Sequence, residues 1–177
     1  LAADYQSAFP DLPINCLAAD YFAGLDWLRD RYRQRNLVLF LGSSIGNFSP
    51  DQALDFLANL HRGLNDGDLA IIGFDLAKDS DLIRDAYNDS MEVTAAFNLN
   101  ILERINRELA SDFDISKFAY EGKYDRDNRV VRSYLISLAD QCVRLGLTDR
   151  VIYFSKGETI HTEDSYKYRE SDIEEMA

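Results

Sequence analysis

Two polar residues near the end of the sequence, Glu163 and Ser165, are of types that can recognise a nitrogen-containing ring. Residues two apart on an extended chain point to the same side, so a carboxylate acceptor and a hydroxyl would be presented together. Such a pair can bind a polar ring that carries N–H donors. The alternative is an exposed acidic loop, and the local sequence leaves both interpretations open.

Three further polar positions follow apolar runs in the first half: Asp20, the loop Gly42–Asn47, and Asp75. Ligands of parallel sheets bind beyond the carboxyl ends of the strands. The glycines let a ligand approach the backbone closely, and Asn47 offers both a donor and an acceptor. Asp20 could accept hydrogen bonds from a nucleoside whose base lies against Tyr21. Equally, Asp20 could cap a helix, and the loop could be a turn that merely needs glycine.

The elements around these positions alternate between strand and helix through the first 90 residues. The apolar runs Leu37–Leu41 and Leu69–Phe74 predict strands buried on both faces, as in a parallel sheet. Ile14–Ala18 predicts another short strand, and Ser49-Pro50 predicts a helix start. Helices are predicted over 1–9, 21–33 and 80–88, and over the segment after Pro50, which places Leu54, Leu57, Leu60 and Leu64 on one face. The pattern is typical of part of a Rossmann-like sheet.

The second half has a different pattern. Residues 92–110 predict a long helix with one apolar stripe, and the segments 118–124, 129–138 and 151–154 predict antiparallel strands. The stripe consists of Val93, Phe97, Ile101, Ile105 and Leu109. The predicted class is therefore α/β, with a partial Rossmann-like sheet over residues 1–90 and an appended antiparallel α+β portion over residues 91–177 that contributes to a substrate pocket.

The amino-acid composition limits the classes of partner that the chain can bind. The chain has 177 residues, of which 46% are hydrophobic, and a formal net charge of −12, which disfavours nucleic acid and anionic membranes as partners. No apolar run approaches the roughly 20 residues of a membrane span. Cys16 and Cys142 lack metal-ligand spacing and are typical of a reducing compartment, although a disulfide remains open; two histidines argue against a histidine-based metal site. We therefore expect a cytoplasmic protein whose main partners are neither nucleic acid nor membrane.

Read together, several stretches resemble the S-adenosylmethionine-dependent histidine Nα-methyltransferases, the first enzymes of ergothioneine biosynthesis. In order and spacing they cover nearly the whole chain. They are Phe40-Leu-Gly-Ser-Ser-Ile-Gly-Asn47, Gly73-Phe-Asp-Leu-Ala-Lys-Asp79, Ala86-Tyr-Asn-Asp89, Val93-Thr-Ala-Ala-Phe-Asn-Leu-Asn-Ile-Leu102, Asn106-Arg-Glu-Leu109 with Asp112-Phe-Asp114, and Gly157-Glu158 with Thr162-Glu-Asp-Ser-Tyr-Lys167.

The resemblance implies a role for each matching residue. Asn47 and Tyr87 match positions that hold the α-amino and carboxylate groups of the amino-acid substrate, histidine. Glu163 and Ser165 match the pair that recognises the imidazole. On the S-adenosylmethionine side, the implied residues are Asp20 and Tyr21 at the adenine end and Gly42 with Ser43 in the loop beside the cofactor.

The sequence departs from the family pattern at two points, and each departure leads to a prediction. The family's glycine-rich cofactor loop is missing and the chain starts at Leu1, so we expect a C-terminal fragment that binds S-adenosylmethionine weakly or not at all. Ser133 stands where a pocket methionine is usual, so another amino acid could be the acceptor. A degenerate, non-catalytic binding or assembly module is the remaining alternative. An incomplete sheet would also leave an open edge for self-association.

Overall fold

A computed structural model describes residues 2–31 and 35–177, apart from the side chains of residues 28–31. Within this part of the chain, helices and strands are mixed, which confirms the prediction of a mixed helix and sheet protein. The helices are α1 (Ala2–Ala8), α2 (Tyr21–Arg31), α3 (Pro50–Gly63), α4 (Ser80–Tyr87), α5 (Val93–Leu109) and α6 (Glu170–Met176). The strands are β1 (Leu37–Phe40), β2 (Leu69–Ile72), β3 (Phe118–Asp125), β4 (Val130–Ser137), β5 (Gln141–Leu145), β6 (Arg150–Phe154) and β7 (Thr159–Tyr166). None of the described helices has the length and apolar character needed to cross a bilayer.

The chain forms two compact units. One comprises Leu1–Leu39 and Leu54–Ile71, and the other comprises Phe40–Ala53 and Ile72–Ala177. The first unit holds α1, α2 and most of α3. The second holds the loop after β1 and everything beyond β2, including the antiparallel strands.

Strands β1 and β2 pair with each other in a two-stranded sheet. Leu69 N–H donates to Asn36 C=O and, four residues further along both strands, Gly73 N–H donates to Phe40 C=O, which is a parallel arrangement. The prediction that these strands are buried on both faces was wrong: Leu39 is 56% exposed and Ile71 is 52% exposed. The physical reason is that the described residues add no third strand to this pair, so its faces stay open.

The local helix signals were mostly read correctly. Ser49 N–H donates to Gln52 Oε1 and Gln52 N–H donates to Ser49 Oγ, so this pair caps α3 and Pro50 is its first residue, as predicted. Helices α1 and α4 also lie where they were predicted. The predicted end of α2 at Arg33 lies outside the described residues.

In the first half, one further prediction was wrong and one was correct only in part. The segment Ile14–Ala18 forms no strand, because these residues are not paired to a neighbouring strand. On α3 the buried residues are Ala53, Phe56 and Leu60, while Leu54 is exposed. Of the predicted leucine face, Leu60 is buried and Leu57 is half-buried, so the packed face is only rotated toward Phe56, whose ring lies 5.7 Å from that of Phe22.

The second half contains a three-stranded antiparallel sheet in the order β3-β4-β7. Side chains directly opposite each other share a face. One face therefore combines Gly122, Ser133 and Glu163, which are partners across the three strands. The register between β4 and β7 shifts at Ser133 and Tyr134, so that Thr162 is an extra residue, a β-bulge.

The core of the second unit lies between this sheet, α5 and the β5–β6 hairpin. Leu102 and Leu135 are buried there with a group of three aromatic rings, Phe113, Phe118 and Phe154, whose centroids are 5.5–6.2 Å apart. Sequence reasoning found β6 and the turn before it but did not assign β5.

The apolar stripe predicted for α5 was wrong. Phe97 is 69% exposed, and Val93 and Ile101 are exposed as well, whereas Asn98 and Leu102 are buried. The reason is that Asn98 is a satisfied polar residue: its Nδ2 donates to Thr94 C=O at 3.1 Å and its Oδ1 accepts from Thr162 Oγ1 at 2.7 Å. These bonds let the side of the helix that carries Leu102 pack on the sheet.

Candidate functional site

The loop after β1 is held against β7 by close packing. Gly42 and Ser43 have left-handed backbones, with φ of 75° and 58°, and the 3₁₀ turn Ser44–Asn47 follows. A Cβ on Gly46 would lie 2.9 Å from the carbonyl oxygen of Tyr166, so only glycine fits there. Asn47, the next residue, is therefore placed beside the end of β7, and its own side chain is exposed.

Tyr168 also holds the Ser44–Asn47 turn in place. Its hydroxyl donates to the carbonyl of Ile45 at 3.1 Å, in a buried position. Burial raises the pKa of Tyr168 to about 12, with smaller contributions from Tyr166 and Asp172. The phenol therefore stays protonated and keeps donating at ordinary pH.

Four polar side chains from distant parts of the sequence meet at one point. Tyr87, the last residue of α4, donates its hydroxyl to Ser165 Oγ at 2.7 Å. Lys167 Nζ donates to Tyr87 Oη at 2.7 Å and to Ser165 Oγ at 2.9 Å, and it forms an ion pair of 2.9 Å with Asp75 Oδ2. Two of the four, Tyr87 and Ser165, were predicted substrate-binding residues, and the structure brings them into direct contact.

The charge state of Asp75 is fixed by its lysine neighbours. Burial alone would raise the pKa of this carboxyl, but hydrogen bonds and charge from Lys78 and Lys167 outweigh that cost, and its pKa is lowered. Asp75 is thus an anion throughout the neutral range, and its charge is compensated within the cluster.

Glu163 and Ser133 lie on the face of the sheet that Tyr87 covers. Ser133 is fully buried, and its hydroxyl lies 3.1 Å from that of Tyr120. Burial raises the pKa of Tyr120; the Ser133 hydrogen bond opposes this, while Tyr87, Glu163 and Asp89 add to it through their charges. The Tyr120 hydroxyl therefore marks where these groups converge, and it stays protonated.

The end of α4 is locked onto β3, which fixes the position of Tyr87. Asn88 Nδ2 donates to the carbonyl of Gly122 and Gly122 N–H donates to Asn88 Oδ1, both at 3.0 Å. A Cβ at Gly122 would lie 3.1 Å from Tyr87 Cβ, so the glycine permits this approach. A cavity of about 180 Å³ opens beside it, lined by residues that include Tyr87, Asp89 and Tyr120.

Asp20 and Tyr21 belong to the other unit. Asp20 Oδ1 accepts hydrogen bonds from the backbone N–H groups of Phe22 and Ala23, so this residue caps α2, as one of the two interpretations held. Tyr21 is exposed, with its ring edge-on to Phe56 at 6.0 Å between centroids.

Sequence reasoning missed Lys167 and Tyr120 as members of the site. Lys167 continues the alternation of Glu163 and Ser165, so the same two-residue spacing could have found it. Tyr120 carried no such signal, because its place depends on the pairing of β3 with β4. The described residues contain no group of acidic, histidine or cysteine side chains arranged to hold a metal ion.

Together, the fold and the site define a mixed helix and sheet protein in which a buried polar cluster lies at the end of an antiparallel sheet, next to a strand-end loop. The family model for histidine-specific, S-adenosylmethionine-dependent methyltransferases matches residues 1–177, and the chain belongs to this family.

Curated relatives agree with this assignment. A histidine N-alpha-methyltransferase of Mycolicibacterium smegmatis is 37% identical over 93% of this chain and 51% of its own length, and one of Mycobacterium tuberculosis is 35% identical over 95% and 52%. Ergothioneine biosynthesis protein 1 of Schizosaccharomyces pombe is 31% identical over 86% of this chain and 20% of its own length. The chain spans about half the length of the two bacterial relatives.

Proposed function

We propose that this chain supplies the substrate-recognition part of an enzyme that transfers methyl groups from S-adenosylmethionine to the α-amino group of histidine. The observation that carries the proposal is the contact between Tyr87 and Ser165, with Glu163 two residues away on the same strand and the turn that bears Asn47 packed against its end. These are the four positions at which the family resemblance implies substrate binding.

The proposed roles follow from donor and acceptor chemistry. Asn47 and Tyr87 orient the α-amino and carboxylate groups, Glu163 accepts the ring N–H of histidine, and Ser165 contacts the other ring nitrogen. The attacking amine must be neutral, and these contacts hold its lone pair in line for the displacement. A ligand without the ring would leave the Glu163 carboxylate unpaired, which makes the ring a condition of tight binding.

The residues proposed for S-adenosylmethionine suit its chemistry. When bound, it supplies an electrophilic methyl group on a sulfonium. The exposed ring of Tyr21 offers a flat surface for adenine beside the Asp20 carboxylate, and the left-handed backbone at Gly42 and Ser43 allows a ligand to approach the chain closely. Titration calorimetry tests whether this chain binds the cofactor; micromolar affinity would contradict the expected weak binding.

The division of the chain into two structural portions is part of the same proposal. The parallel β1–β2 pair supports a partial Rossmann-like core over residues 1–90, and the β3-β4-β7 sheet supports an appended substrate-binding portion over residues 91–177.

The free cysteines support a cytoplasmic location, because they are typical of a reducing compartment. The exposed leucines of β1 support self-association, and sedimentation velocity that shows one monomeric species at every concentration would exclude it.

The decisive experiment is a methyl-transfer assay with S-adenosylmethionine and histidine on the intact protein that carries this sequence. Wild type should form trimethylhistidine, and Glu163→Ala should lower kcat/KM by roughly 100-fold, because an imidazole N–H loses a charged acceptor. Glu121→Ala is the matched control, since Glu121 is a strand glutamate paired with Lys123. No product from wild type, together with no effect of Glu163→Ala, would exclude the proposal.

A different acceptor is favoured by one observation. Ser133 is buried and bonded to the Tyr120 hydroxyl, so the pocket wall is polar where the family usually places methionine. The same assay run with all twenty amino acids distinguishes the two cases: histidine should be preferred under the main proposal. A protein that binds the amino acid without methylating it would be the non-catalytic module.

A further inference from the structure

Lys167 is a nearly fully buried lysine whose hydrogen-bonding capacity is completely used. The residue is 4% exposed, and its ammonium has three N–H donors. The three partners are Asp75 Oδ2, Tyr87 Oη and Ser165 Oγ, at 2.9, 2.7 and 2.9 Å. Lys167 thus has no donor left for a ligand, and it can act only through the side chains that it holds.

The ammonium also determines what Tyr87 and Ser165 can do. Each hydroxyl oxygen accepts one hydrogen bond from Lys167, and the Tyr87 proton currently points at Ser165. Ser165 Oγ therefore accepts twice, which uses both of its lone pairs and leaves its own proton for a third partner. If a ligand attracts the Tyr87 proton, Lys167 still satisfies both oxygens.

We propose that Lys167 is a positioning residue that fixes Tyr87 and Ser165 as hydrogen-bond donors toward a bound amino acid. This inference rests on the proposed function. Tyr87 then donates to the carboxylate, and Ser165 donates to the unprotonated ring nitrogen while Glu163 accepts the ring N–H. The site selects one neutral tautomer of the imidazole.

The surroundings of Lys167 support this role. Its Nζ lies 4.8 Å from the centroid of the Tyr87 ring, so cation–π attraction adds to the hydrogen bond in holding that side chain. Asp75 balances the positive charge without competing for the hydroxyls. The charged and titratable groups around the cluster are Asp75 with its second partner Lys78, and Tyr87 with the neighbouring Asp89, Tyr120 and Glu163.

A consequence for pH follows. Protonation of the histidine ring, with an ordinary pKa near 6.5, gives it two N–H donors. Ser165 then loses the ring acceptor to which it donates, and the Lys167 ammonium, 2.9 Å from Ser165 Oγ, repels the imidazolium. Histidine should therefore bind more weakly as the pH falls through about 6.5. Without Lys167 this repulsion is absent, and the loss of affinity should shrink.

The test measures the Kd of histidine between pH 5.5 and 8 on the intact protein that carries this chain. Lys167→Met should raise Kd at pH 8 by roughly 10- to 100-fold, because two oriented donors are lost, and should reduce the ratio of Kd at pH 5.5 to Kd at pH 8. Lys117→Met is the matched control, because Lys117 also pairs with an aspartate, Asp114, but is half exposed.

A double variant separates positioning from charge pairing. Asp75→Asn with Lys167→Met removes both charges and should recover thermal stability while keeping the raised Kd and the flattened pH dependence. Recovery of wild-type affinity in the double variant, or an unchanged pH ratio in Lys167→Met, would overturn the inference. Failure of wild type to bind or methylate histidine would instead refute the proposed function, and the inference would fall with it.

Discussion

At the scale of single residues, the sequence revealed part of the site for an identifiable reason. Glu163 and Ser165 are close in sequence, so alternation along a strand was enough to place them on one side. Lys167 and Tyr87 meet across 80 residues, and their contact depends on where α4 ends relative to β7. A buried cation of this kind is recognisable only when its partners are known.

The Tyr120–Ser133 pair gives a prediction at this scale. Removing either hydroxyl leaves the other without this partner, so Tyr120→Phe and Ser133→Ala should each lower the free energy of unfolding by about 1 kcal/mol. The double variant should lose less than the sum, because the two hydroxyls share one bond. Urea unfolding followed by circular dichroism measures all three.

Tyr134→Phe is the control for this cycle, because Tyr134 lies on the opposite face of β4, against His161 and under Lys123. It should change stability little. Strictly additive losses in the Tyr120 and Ser133 variants would show that the two hydroxyls are not coupled.

At the scale of elements, the turn signals were more reliable than the apolar stripes. The Ser49-Pro50 start of α3 was readable because a cap is a local interaction between neighbours. The buried face of α5 was not readable, since it depends on Asn98 finding Thr162 on β7. A helix with apolar residues on more than one side is oriented by what it packs against.

Gly46 provides the test at this scale. Gly46→Ala would push a methyl group to 2.9 Å from the Tyr166 carbonyl, a backbone atom that cannot move aside cheaply. We expect a loss of about 1–3 kcal/mol in the free energy of unfolding and, since Asn47 is displaced, a raised KM for the amino acid. Equilibrium unfolding and steady-state kinetics measure the two effects.

Gly24→Ala is the matched control, because a Cβ at Gly24, inside α2, meets no atom within 4 Å. That variant should be neutral or slightly stabilised, since alanine favours a helix over glycine. Equal behaviour of the two variants would mean that the turn and β7 are not in close contact.

At the scale of the whole molecule, the class of the fold could be predicted but the burial of its strands could not. Alternating strand and helix signals set the class, because they are local. Burial of β1 and β2 depends on neighbouring strands, and the described residues provide only the pair itself. The acidic composition disfavoured nucleic acid, whereas the small-molecule substrate was implied by the family resemblance, with which the family assignment agrees.

The response of the second unit to alkali is a prediction at this scale. The pKa of Tyr168 is about 12 in the fold against 10 in an unfolded chain, so its contribution is complete below pH 10 and is lost as the pH rises toward 12. Tyr168→Phe should remove roughly 1 kcal/mol of this pH dependence between pH 9 and 11 while keeping the edge contact with Phe74. Urea unfolding at pH 9, 10 and 11 compares the two proteins, and parallel curves would contradict the assignment.

The extra residue in β7 has a consequence for which of its side chains share a face. Because Thr162 is bulged, Glu163 lies opposite Ser133 and Ser165 lies opposite Val131. If Thr162 were instead paired in a regular ladder that continues from Tyr134 and His161, Asp164 would lie opposite Val131, and the side chains of Glu163 and Ser165 would point to the other face of the sheet. The bulge thus decides, together with the side chains themselves, which alternate residues of β7 share a face with Ser133, and a strand pattern that ignores it assigns the wrong face to one half of β7.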